Sequence, residues 1–458
     1  MNFSRRSFLA QAAGAGLVAC APGVFARTGS DGILLTRHHT PRAKRIIWLY
    51  MAGGPSQLEL FDHKPTLEEY DGEAMPESLT EGQQIAQLQN QELKVKAPVF
   101  GFRNYGESGI GLGELLPYIG ANVADRMTLI RTLRTEQINH DPAHTFMNTG
   151  ARVAGRPSLG SWLHYGLGAQ TEELPPFVVM VSGTTEAQPI SAGQWHSGFL
   201  PSLYQGVEFQ SGPQPVYYLD SPGVSATHQR LVVDKIQALN TAAEERLADP
   251  EIATRNMSYE LARKMQMTLP GLADTDSEPD SIKKLYGIGH GADEFARNCL
   301  LARKLVEQGV SMVQLYHRGW DLHDGITQYL PRLCHEVDQA TAALVLDLEQ
   351  RGLLDDTLVV WGGEFGRTPM SQGRDGRDHH INNFSMFLAG GGVRGGHVHG
   401  VSDDFGYNAA EDPVHVHDLH ATILHLLGID HERLTYRYQG RDFRLTDVHG
   451  RVLTDIVA

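Results

Sequence analysis

Four short stretches carry side chains that could hold a metal ion or an anion. The first is Asp378-His379-His380, a carboxylate followed by two imidazoles. These donor types suit a divalent transition metal such as zinc or manganese. Glu364 stands upstream of it, with Arg367, Arg374, Asp375 and Arg377 in between. The second is Asp321-Leu322-His323, two donors one residue apart that can face one ion. The third is Asn139-His140-Asp141-Pro142-Ala143-His144. Pro142 suits the first turn of a helix and Asp141 its N-cap. His140 and His144 would then cluster where backbone N–H groups and the helix dipole favour an anion. The fourth is Gly53-Gly54-Pro55-Ser56, a turn able to bring N–H groups to a ligand, with Glu59 and Asp62 just beyond it.

The metal set expected from these stretches is Asp62, Asp321, His323, Glu364, Asp378, His379 and His380, with zinc, manganese or calcium as the ion. His140 and His144 are expected to carry a proton, with nucleophilic attack as the lesser role. Arg367 or Arg377 is expected to hold an anionic group bidentately. Each stretch also has a plain structural reading as a polar loop, a capped helix or an ordinary turn. Shared chemistry is favoured by where the neighbouring elements would place them.

Thr357-Leu358-Val359-Val360-Trp361 is a β-branched and apolar run between acidic residues and glycines. It reads as a strand buried on both faces. Phe384 to Ala389 reads as another, and the segment between them as a loop. Arg45 to Met51, Met127 to Leu133, Phe177 to Val181 and Val310 to Tyr316 read as further strands. Helical patterns cover Ser158 to Gly168, 226–268, 280–286 and Asp293 to Gly309. Another is marked by Leu333, Val337, Ala340, Leu344 and Leu348, and a last one spans Val414 to Leu427 with Gly428 as its cap. Tyr438 to Ile456 reads as a terminal β-hairpin turning at Val448-His449-Gly450. The strand–helix–strand order through 310–361 predicts a right-handed parallel unit. That unit places the loops after Tyr316 and Trp361 on one sheet edge, where open α/β sheets keep their ligands. Asp321, His323, Glu364 and the Asp378-His379-His380 group are therefore expected to share a site. The fold expected is α/β: a mostly parallel central sheet between helices, with long loops and a C-terminal β-hairpin, forming one domain over 45–458.

The chain has 458 residues, of which 41% are hydrophobic, and this is enough for a large core. Its formal net charge of -15 argues against nucleic acid as a partner, since phosphate neutralisation needs clustered Lys and Arg. Ser4-Arg5-Arg6-Ser7-Phe8-Leu9, followed by the short apolar run Ala10 to Ala19, reads as a twin-arginine export signal over 1–26, with 27–44 as a linker. The implied partner is the twin-arginine translocase and the implied location the periplasm. Two processing readings stand. Val24-Phe25-Ala26 fits simple cleavage, which is preferred. Leu17-Val18-Ala19-Cys20 resembles a lipobox, through which a lipid on Cys20 would be the only membrane attachment. With Cys20 in the signal, Cys299 and Cys334 remain, too few for a disulfide scaffold.

MAGGPSQLELFD, NHDPAHTFMNTG, SGFLPSLYQGV, QLYHRGWDLHDG, LLDDTLVVWGGEFGRTP, GRDHHINNFSMFLAGGGVRGG, PVHVHDLHATILHLLGID and YQGRDFRLTDVHG together resemble the exported bacterial family called domain of unknown function 1501. That family looks like a branch of the alkaline phosphatase and sulfatase superfamily. The resemblance implies an alkaline phosphatase-like sheet and a site with one or two metals that cleaves phosphate or sulfate esters, with a small molecule or a glycan as the ester. It implies that Asp321 and His323 bind one metal. It sets Glu364 where the superfamily has an Asp-His pair, but Phe365 replaces the His, which removes a ligand of the second metal. His140 falls where sulfatases carry their modified Cys or Ser. No Cys-x-Pro-x-Arg motif is present, so a formylglycine mechanism is not expected. Two other readings of the chain are an inert exported protein that binds a glycan or a protein partner, and a lipid-anchored surface scaffold.

Overall fold

The computed structural model describes residues 32–183, 190–212, 215–216, 225–247, 250–289 and 293–458. The expected signal segment, with Cys20, lies outside them. Nine strands form the central sheet: β1 (Arg45–Ala52), β2 (Met127–Arg134), β3 (Phe177–Gly183), β4 (Val207–Phe209), β5 (Met312–Arg318), β6 (Thr357–Gly362), β7 (Phe384–Ala389), β8 (His397–His399) and β9 (Val414–His415). Their spatial order is β8-β2-β7-β6-β1-β5-β3-β4, with β9 also paired to β2. All pairings are parallel except those of β7, which runs antiparallel to both β2 and β6. This is the mostly parallel sheet expected from the sequence.

β1 shows why the apolar runs become central strands. Its side chains alternate between two cores, Ile47, Leu49 and Met51 on one face and Ile46, Trp48 and Tyr50 on the other. Helices Glu294–Glu307 and Ile326–Gln350 cover the first face through Cys299, Leu305, Val337 and Leu344. Helices Leu159–Leu167 and Val416–Leu426 cover the second through Trp162, Leu163, Leu419 and Ile423. Strands buried on both faces have to be apolar almost throughout, which is what made them legible. Cys299 and Cys334 are both free and buried. Among the described residues no helix is long and apolar enough to cross a membrane.

Four local expectations differ from the structure. The segment between β6 and β7 is a two-stranded ribbon, Gly366–Gln372 against Gly376–His380, and not a loop. Its register slips between Arg377 and His379, opposite Thr368-Pro369-Met370, where the proline has no N–H to offer. Helix His140–Thr149 begins two residues earlier than expected, with Asn139 and not Asp141 at its N-cap and Asp141 already in its first turn. The helical pattern over 226–268 divides into Ala226–Leu247 and Pro250–Ala273. The C-terminal hairpin pairs Tyr436–Tyr438 with Arg441–Phe443. It is shorter and earlier than 438–456, because Gln439 and Gly440 adopt the positive φ that a tight hairpin turn needs.

Parallel pairing sets the position of the site. Tyr50 of β1 lies beside Tyr316 of β5 and Gly362 of β6. The residues that follow, Gly53, Asp321 and Glu364, therefore leave the sheet side by side. β2 also points to this edge and leads into His140, while antiparallel β7 starts there and receives the ribbon that carries His379.

A candidate metal centre at the carboxyl edge of the sheet

Three imidazoles converge on the Asp321 carboxylate. His323 Nε2 is 2.9 Å from Oδ1 and His379 Nε2 is 3.2 Å from the same oxygen. His140 Nε2 lies 3.2 Å from Oδ2. His323 Nε2 and His379 Nε2 are only 2.9 Å apart, so at most one of them can carry a proton toward the other. One ligand atom from each of the four residues fits within 4.8 Å of all the others. The opposite ring nitrogens are all held by acceptors. His140 Nδ1 is 2.7 Å from Glu364 Oε1, His379 Nδ1 is 2.7 Å from the Ile138 carbonyl, and His323 Nδ1 is 2.6 Å from Gln372 Oε1. A ring anchored at Nδ1 presents Nε2 in a fixed tautomer, which is how proteins orient metal-binding histidines. Three imidazoles and one carboxylate suit zinc, so the donor set fits a divalent transition metal.

Glu364 sits one layer deeper and is fully buried. It accepts from the Gly53 N–H at 2.9 Å and faces His140 and, at 3.6 Å, His144 Nδ1. His140, His144 and Glu364 form a second metal-compatible group that shares His140 with the first. The Tyr50 hydroxyl is 2.9 Å from His144 Nδ1. Gly53 is required here: its φ is +120°, and a Cβ would stand 2.4 Å from the Asp321 backbone nitrogen. Arg367 donates to Asp321 Oδ1 at 2.6 Å, to the Gly54 carbonyl at 2.9 Å and to the Gly53 carbonyl. Phe365 packs its ring 4.9 Å from that of His140 and 4.6 Å from that of His379. The cluster is open on one side only: Asp321 and His323 are 17% and 22% exposed, whereas His140 and His379 are 6% and 4%.

Burial works against charge in all of these groups, and their partners decide the outcome. Burial pushes the Asp321 carboxyl up. The close contacts of its oxygens with His140, His323 and His379, with Arg367 nearby, outweigh it and hold Asp321 well below the usual carboxylate range. Burial likewise pushes Glu364 up, and His144 and His140 bring it down. Burial pulls His140 down, but its two carboxylate partners raise it to about 9. His144 and His379 stay lowered because burial dominates.

The other expected site residues lie elsewhere. Asp378 accepts from the backbone N–H groups of Gln87, Leu88 and His379. His380 Nε2 faces the Tyr407 carbonyl at 2.5 Å, and burial lowers that ring to about 4. Asp62 pairs with Lys64 at 3.3 Å and accepts from Ser402. Arg377 is fully buried, 2.8 Å from Glu59 Oε1, and also donates to the carbonyls of Lys96, Ala97 and Thr368. His417 and His420 face the Gly150 and Met147 carbonyls at the C-terminal end of helix His140–Thr149, so they fasten that helix from behind. Sequence reasoning did not foresee Tyr50, Gln87 and Gln372 at the centre. The Gly53-Gly54 turn was the one signal that β1 contributes to it.

Several solved structures share a distantly similar layout. Among them, Ps i-CgsB in complex with k-i-k-neocarrahexaose is 10% identical, with 84% of this chain and 72% of that chain covered and a TM-score of 0.37. The PsFucS1 sulfatase from Pseudoalteromonas sp. is 12% identical, with 85% and 69% covered and a TM-score of 0.35. The alkaline phosphatase from the Antarctic bacterium TAB5 is 11% identical, with 85% and 98% covered and a TM-score of 0.31. Likeness at this level assigns neither reaction nor substrate. No curated protein matches the chain in sequence. The family model described as "Protein of unknown function (DUF1501)" matches residues 43–457, and the chain belongs to that family.

Proposed function

We propose that the chain is an exported, metal-dependent hydrolase of phosphate, sulfate or related esters, carried by a small molecule or a glycan. One observation supports this most: three anchored imidazoles aim their Nε2 atoms at one carboxylate that remains partly open to solvent. Asp321, His140, His323 and His379 would hold the ion, with zinc the best match and manganese next. When bound, a divalent ion supplies Lewis acidity toward an ester oxygen. Glu364 orients His140, and Arg367 fixes the Asp321 carboxylate. Phe365 packs against the His140 and His379 rings. The ester would enter past Asp321 and His323.

The second reading, an inert exported protein that binds a glycan or a protein partner, also has a specific observation behind it. Arg367 and Arg377, the residues expected to hold an ester anion, direct their donors into the protein instead. Elemental analysis of the purified chain separates the readings when set beside an Asp321→Ala, His379→Ala variant of unchanged circular dichroism. Stoichiometric metal in the parent and none in the variant, with turnover of aryl phosphates or aryl sulfates, supports the hydrolase. Metal without turnover supports the inert protein. A folded parent that takes up no zinc, manganese or calcium refutes the metal centre. Export rests on Ser4-Arg5-Arg6-Ser7-Phe8-Leu9. Mass spectrometry of the mature N-terminus tests it: a start after Ala26 supports simple cleavage, a lipid on Cys20 supports anchoring, and an unprocessed chain refutes export.

A further inference from the structure

A second set of metal donors lies away from the centre, where the C-terminal tail meets the edge of the sheet. β8 pairs with β2 on one side only and is an edge strand. His397 and His399 are two residues apart on it, so both rings stand on the same side of the strand. The tail runs along the adjoining segment. Val393 bridges Val457, the Arg394 N–H donates to the Ile456 carbonyl at 2.8 Å, and the Ala458 N–H donates to the Gly392 carbonyl at 2.9 Å. These contacts bring Asp455 against the two histidines. Asp455 Oδ2 is 2.5 Å from His399 Nδ1 and 3.9 Å from His397 Nε2.

We propose that His397, His399 and Asp455 form a second divalent transition-metal site that fastens the C-terminal tail to the edge strand. One ligand atom from each residue lies within 4.8 Å of the other two. The His399 side chain is 5% exposed, and neither its Nε2 nor that of His397 has a hydrogen-bond partner among the described residues. Two imidazoles with spare nitrogens and one carboxylate suit zinc, nickel or copper rather than magnesium or calcium. Asp455 is 51% exposed, which leaves solvent to complete the coordination shell and lets the ion load and be chelated. The site shares no residue with the Asp321 centre, so it does not depend on the hydrolase reading. Its role is mechanical. It couples strand 397–399 to tail 454–458, and an ion that binds only the folded chain adds stability by mass action.

Zinc is the probe. Equilibrium dialysis of the full chain should show two equivalents bound. His397→Ala and Asp455→Asn should each weaken one of them by at least tenfold and leave the other, defined by its loss in Asp321→Ala, unchanged. Asp455→Asn keeps the shape of a half-exposed side chain, so it folds even if His397→Ala does not. Zinc should also slow amide hydrogen exchange over 454–458 in the parent and not in Asp455→Asn. Equal zinc content in parent and Asp455→Asn, or zinc without protection of the tail, overturns the proposal. If Asp321→Ala loses no zinc but Asp455→Asn does, the central site fails and the tail site stands.

Discussion

In the proposed metal centre, His140 should make uptake of an ion a proton-releasing event. Its ring lies between two carboxylates that raise its pKa to about 9, so at pH 7 about 99% of the metal-free protein carries the extra proton. A metal can accept Nε2 only from the neutral ring, with the remaining proton on Nδ1 facing Glu364. His379 is lowered by burial and is already neutral there. Zinc uptake at the centre should therefore release about one proton from His140 at pH 7. Affinity should rise about tenfold per pH unit up to about pH 9, or about 2.7 kcal/mol between pH 7 and pH 9. Isothermal titration of the Asp455→Asn variant with zinc, in two weakly coordinating buffers of different ionisation enthalpy, counts the protons. His140→Asn should abolish the His140 release and leave a weaker ion. Identical heats in the two buffers, or an affinity that is flat between pH 6.5 and 8.5, would refute the reasoning.

The same shift gives a sign for the metal-free protein. A raised folded-state pKa adds stability that is fully present below the unfolded value of about 6.5 and is lost as pH rises through about 9. Chemical denaturation of the chelated protein should show stability falling by a few kcal/mol across that window. Glu364→Gln removes the carboxylate that orients His140 and should weaken zinc by about 10–100-fold while leaving the fold intact; unchanged affinity would remove Glu364 from the site. Arg377→Met leaves the fully buried Glu59 carboxylate without its partner and should cost about 3–5 kcal/mol, read as a lower denaturation midpoint. Gly53→Ala puts a methyl group against the Asp321 backbone, so metal content should fall well before global stability does.

The sheet and its helices could be read from the chain because strands buried on both faces must be apolar and helices must repeat their apolar side. β1, β6 and the helix over Leu333 to Leu348 carry that signal in their own residues. The pairing of Asp321-x-His323 with a strand end was also local, and the parallel unit around it already implied a shared edge with Glu364. The assignment of partners was not local. Asp378, His379 and His380 are consecutive, yet only His379 reaches the cluster. Asp378 holds the backbone at Gln87 and Leu88, and His380 faces Tyr407. The slipped register of the ribbon and the contacts of each side chain separate them, and composition carries no trace of either. Arg367 and Arg377 look alike in the sequence as anion holders, and only burial against Asp321 and Glu59 shows them as internal braces. His140 and Asp321 stand far apart in the sequence, and they meet because β2 and β5 end on the same edge of the sheet.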